Sequence, residues 1–96
     1  MKLSKVFTIA KAQLPRGRCK GICAVLYDLR QTGEVPRKDS YRAADIIGNR
    51  LDGSMYLGSW LEKHHYIYVG SNVRKYQATR LAWLDSLIAE FEAKGD

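Results

Sequence analysis

Val73-Arg74-Lys75-Tyr76-Gln77-Ala78-Thr79-Arg80-Leu81-Ala82-Trp83-Leu84-Asp85-Ser86-Leu87-Ile88-Ala89-Glu90-Phe91-Glu92-Ala93 runs without glycine or proline and repeats its apolar residues at the helical period. Set at about 100° per residue with Leu84 at the centre of a face, Val73, Leu81, Leu87, Ile88 and Phe91 fall within about 60° of that centre. Lys75, Ala78, Ala82, Ser86 and Ala89 take the opposite face. The segment is a long amphipathic helix, and its stripe requires other elements to cover it.

The stripe is purely apolar from Leu81 to Phe91, but Gln77 and Arg80 stand near the centre of its N-terminal half. A guanidinium on a core-facing position must find a partner or reach solvent along its own stem. Either Arg80 snorkels or pairs with a carboxylate such as Asp45 or Asp52, or the core opens here into a cleft where Arg80 meets an anionic ligand. Planar bidentate donors suit such sites.

Upstream, Gly21-Ile22-Cys23-Ala24-Val25-Leu26-Tyr27-Asp28-Leu29-Arg30 places Ile22, Val25, Leu26 and Leu29 at i, i+3, i+4 and i+7, with Gly33 as the stop signal. Cys23 reads as a small core residue. Leu3 to Leu14 reads as a short helix with Ser4 as its N-cap, with Lys5 to Ile9 as an edge strand the alternative. Asp39 or Ser40 caps a further helix ending at Leu51, with Ala44, Ile47 and Leu51 buried, Tyr41 near its start and Gly48 either a close-approach point or a weak spot. Met55 to His64 carries Leu57, Trp60, Leu61 and His64 on one side, and His65 to Val69 alternates like a strand. The expected architecture is mainly α: about four helices in one compact domain over residues 1–96, with room for one short β pair between Lys5–Ile9 and His65–Val69.

With 96 residues there is one domain, and a core of this size is often marginal, so self-association into a homo-oligomer is an available support. The 46% hydrophobic and 27% charged residues are ordinary for a globular chain. No apolar run is long enough for a membrane span, and no long h-region follows Met1-Lys2-Leu3-Ser4-Lys5-Val6, so a cytoplasmic location is expected. Cys19 and Cys23 lie four apart, a spacing that favours free thiols over a disulfide.

The formal net charge is +6, and residues 1–42 hold ten Lys/Arg against Asp28, Glu34 and Asp39. Lys11, Arg16, Arg18 and Lys20 cluster around the break Pro15-Arg16-Gly17-Arg18, an arrangement that attracts nucleic acid, nucleotides or an acidic protein surface and also serves solubility. Six tyrosines and two tryptophans add the side chains favoured at binding hot spots and at base-stacking sites. Among them Tyr66 and Tyr68, in His65-Tyr66-Ile67-Tyr68, mark a contact surface.

Enzyme chemistry has little to stand on. Cys19, Cys23, His64 and His65 match zinc in number but not in spacing, and no cofactor or metal is expected. No phosphate-binding loop, dinucleotide glycine pattern or paired-carboxylate motif occurs. A helix-turn-helix across Asp52-Gly53-Ser54 would read DNA with a helix whose only cation is Lys63, beside Glu62.

Two short stretches, Cys19-Lys20-Gly21-Ile22-Cys23-Ala24-Val25-Leu26 and Arg80-Leu81-Ala82-Trp83-Leu84-Asp85-Ser86-Leu87-Ile88, resemble small uncharacterised bacteriophage proteins with an early Gly-Ile-Cys helix and a closing Arg-Leu-x-x-Leu-Asp-x-Leu-Ile helix. The resemblance covers about a quarter of the chain. It implies an accessory phage protein, not an enzyme, that binds and inhibits a host (defence) factor. The expected partner surface comprises Lys11, Arg16, Arg18, Lys20, Tyr66, Tyr68, Gln77 and Arg80. The alternatives are direct capture of a nucleotide or nucleic acid, and a structural or assembly subunit.

Overall fold

Apolar side chains at helical spacing draw the chain into helices that share one core. The computed structural model describes residues 1–14, 21–52, 57–64 and 73–96, except the side chains of 58, 59, 62 and 73–76. Five helices lie among them: α1 (Leu3–Gln13), α2 (Ile22–Thr32), α3 (Arg37–Arg50), α4 (Leu57–Lys63) and α5 (Val73–Ala93). No strand occurs among the described residues. Lys5–Ile9 is helical, so the expected β pair loses one member, and residues 65–69 lie outside the described residues.

On α1, Leu3, Val6, Phe7 and Ala10, followed by Leu14, form one buried stripe, and α1 packs against α5, α3 and α2. α2 buries Ile22, Val25, Leu26 and Leu29 and lies on α3. It ends at Gly33, whose φ of +82° is the left-handed conformation that glycine adopts most readily. Val35 then turns back under the helix, its N–H donating to the Leu29 carbonyl at 3.3 Å. On α5, Arg80, Leu84, Leu87 and Phe91 are buried at i, i+4, i+7 and i+11, with Leu81 and Ile88 half-buried beside them. The Phe7 and Phe91 rings meet with centroids 5.5 Å apart, tilted by 55°. α4 places Leu57, Trp60 and Leu61 against α5 and the common core. The radius of gyration, 12.9 Å, is that of one compact body of this length.

Several local expectations are corrected. α1 begins at Leu3 with Lys2 at the N-cap, so Ser4 is inside the helix rather than capping it. α3 begins two residues before Asp39 because Pro36 takes the N-cap position. Asp39 and Ser40 therefore sit in its first turn and turn inward. Ser40 is fully buried and its Oγ donates to the Leu26 carbonyl at 2.8 Å, fastening α3 to α2. Asp39 accepts from the N-terminal ammonium at 3.0 Å and from Arg42 at 3.4 Å. The buried line of α3 is Ala43, Ile47 and Leu51, with Ala44 only half-buried and Tyr41 53% exposed. Gly48 faces open space, so it is a weak spot in the helix and not a point of close approach. Cys23, expected in the core, is exposed.

Candidate functional site

Of the partner-binding residues expected from sequence, Arg16, Arg18, Lys20, Tyr66 and Tyr68 lie outside the described residues. The other three are held within the fold. Lys11 on α1 pairs with Asp85 on α5, so its charge is met inside the molecule. Arg80 is 4% exposed and its Nη1 donates to Gln77 Oε1 at 3.2 Å, one turn earlier on the same helix. The guanidinium is therefore enclosed rather than snorkelling. Of the carboxylates named for it, Asp45 is exposed, and Asp52 Oδ2 accepts from Trp60 Nε1 at 3.2 Å and lies 3.4 Å from His64 Nε2.

Two other clusters have the character of binding sites. The first is on the outer face of α2 and α3. Arg30 lies against the Tyr27 ring at 4.8 Å, three residues back on α2, and against the Tyr41 ring at 4.3 Å, across on α3. Both rings are about half exposed. Arg37 and Lys38 stand one turn before Tyr41 on the same side of α3, exposed and with no ion pair among the described residues, and exposed Asp45 follows one turn after. Cations in the first turn of a helix oppose its macrodipole, so helix stability gives no reason for Arg37 and Lys38 to be there. Cys23, one turn before Tyr27, has its thiol pKa pushed up by partial desolvation, an effect that the Arg30 charge offsets in part.

The second cluster is a recess of about 280 Å³ between the end of α3, α4 and α5. Arg50, Trp60, Trp83, Ser86, Leu87 and Glu90 line it among the described residues. Trp60 is pinned by its bond to Asp52 and by the His64 ring stacked on it at 4.2 Å, and it meets Trp83 edge-on at 6.0 Å. Arg50 Nη1 and Nη2 pair with the two oxygens of Glu90 in a fork, the first at 2.8 Å. The hydrogen bond to Glu90 holds the Arg50 pKa above its ordinary value, and the hydrogen bond from Arg50 holds the Glu90 carboxyl below its own. Lys94 adds a second cation to Glu90 at 3.4 Å.

Neither cluster was singled out from sequence. The spacing Tyr27-x-x-Arg30 was visible as a same-face pair, whereas Tyr41, Arg50 and Glu90 reach their partners only through tertiary packing. No helix among the described residues is long and apolar enough to cross a membrane. Comparison with protein-family models, with curated proteins and with solved structures finds no match.

Proposed function

We propose that this protein acts by binding rather than by catalysis, and that the α2–α3 face docks an acidic surface on a partner protein. The observation that carries the reading is the placement of Arg30 against two half-exposed tyrosine rings on neighbouring helices. Tyr and Arg are among the residues enriched at energetic hot spots, and rings that already hold the guanidinium lower the entropy lost on docking. Arg37 and Lys38 add positive charge that steers an acidic partner towards this face. The resemblance to small phage proteins would make that partner a host factor whose own function is blocked on binding.

The test is a pulldown from bacterial lysate with the wild-type chain, followed by measured affinity for the captured protein. Arg30→Ala and Tyr41→Ala are each expected to weaken that affinity tenfold or more with an unchanged melting temperature, and raised salt to slow association. Affinity unmoved by either substitution would remove the face from the reading. The second reading, capture of a nucleotide, is favoured by a separate observation: two indoles share one recess with a fixed donor–acceptor pair.

A further inference from the structure

We infer that the recess between α3, α4 and α5 binds a guanine base, independently of the α2–α3 face. The recess is too small for most drug-sized ligands but sufficient for one flat ring system. Its walls supply the two things that a base requires. One is an aromatic surface: the half-buried Trp83 ring lines it, backed edge-on by Trp60, which Asp52 and the stacked His64 ring hold in place. Stacking on such rings is available to every base.

The other is a fixed edge. The Arg50–Glu90 fork uses two of the five guanidinium N–H groups, which leaves three donors on Arg50, and Lys94 takes a second place on Glu90 Oε2, which leaves the further lone pair of Oε1. Guanine presents the complementary arrangement on adjacent atoms. Its O6 and N7 accept, as they do from arginine in a DNA groove, and its N1–H or N2–H donates to the position left on Glu90 Oε1. Adenine offers only one acceptor and one donor in the corresponding place, so it forms fewer charge-assisted bonds. Arg50 and Lys94 together exceed the Glu90 charge by one, so a phosphate adds salt-sensitive attraction, whereas the base edge alone separates guanine from adenine.

The chain supplies its own reporter, because it has two tryptophans and both line the recess. Titration with guanosine, GMP, adenosine and uridine, corrected for nucleoside absorption, is expected to give saturable quenching by guanosine, and by GMP at equal or lower concentrations. Adenosine is expected to bind at least tenfold more weakly, and the guanosine response to persist in high salt. Glu90→Gln, at a partly exposed position, is expected to weaken guanosine at least tenfold in protein shown to be folded by its melting transition. Trp83→Phe keeps a ring, so it should retain binding while losing half of the reporter. Shifts of the two indole N–H resonances give a second readout that does not depend on quenching. The inference fails if guanosine neither quenches nor shifts those resonances, if adenosine matches it, or if folded Glu90→Gln binds it as wild type does. Failure here leaves the α2–α3 reading untouched, since that test reads a different face.

Discussion

Ser40 Oγ and the Leu26 carbonyl are joined by a 2.8 Å hydrogen bond in the interior, so a polar side chain in the first turn of α3 secures the middle of α2. Such a bond contributes about 1 kcal/mol net. Ser40→Ala is expected to lower unfolding stability by about that amount without changing the denaturant slope, as read by urea titration. Ser40→Thr keeps the donor but adds a methyl group to a fully enclosed site, and is expected to cost at least as much.

Phe7 is completely buried and its ring rests on Phe91. Removing it deletes a ring–ring contact between α1 and α5, and Phe→Ala in a core costs about 3–5 kcal/mol. Against a total of about 5–15 kcal/mol for a domain, Phe7→Ala is expected to leave a substantial unfolded fraction at moderate temperature. Phe7→Leu retains most of the volume and should lose far less. Thermal melts of the two variants decide it.

Asp39 and Glu90 give the fold an acid limit. The hydrogen bond from the N-terminal ammonium holds the Asp39 carboxyl below the usual range against some desolvation, and Arg42 adds to the effect. Arg50 does the same for Glu90. With both folded-state values below the unfolded ones, their contribution is present above about pH 4, the unfolded carboxylate range, and is lost as pH falls through the folded values. Urea midpoints should therefore be flat near neutrality and drop on acidification below that range. Asp39→Asn and Glu90→Gln are each expected to lower stability at neutral pH and to flatten the acid slope. The Glu90 share should shrink more in salt, because its pair is the more exposed.

Cys23 is exposed yet has a raised thiol pKa, so at neutral pH it holds less thiolate than an ordinary cysteine. In a Cys19→Ser background, the pH profile of alkylation by iodoacetamide should be displaced upward from that of a free peptide thiol. Arg30 lowers the value in part, so Arg30→Ala should displace the profile further. A downward displacement would contradict the placement of Arg30 beside this thiol.

The apolar stripes of α1, α2 and α5 were legible because a period of 3.6 is a local property of the chain, and the Gly33 stop was legible because only a few residues suit a left-handed turn. The start of α3 was not. Asp39 and Ser40 have the chemistry of N-caps, but one bonds a carbonyl on another helix and the other an ammonium at the far end of α1. Cys23 was misplaced for a related reason: its type tolerates burial, and only the packing of α2 on α3 decides which side faces out. The long charged side chains were the least legible. Lys11 has its carboxylate 74 positions away and Arg50 its own 40 positions away, separations at which no sequence spacing links donor to acceptor.

The packing of α1 against α5 also sets an order of events during synthesis. α1 is made before α5, and although α2 and α3 cover part of its buried face, the side on which Phe7 meets Phe91 stays open until the stretch from Leu84 to Phe91 has left the ribosome. A nascent chain in the interval carries an open greasy seam, the kind of surface that trigger-type chaperones hold. Closure of that seam must wait until α5 has been made.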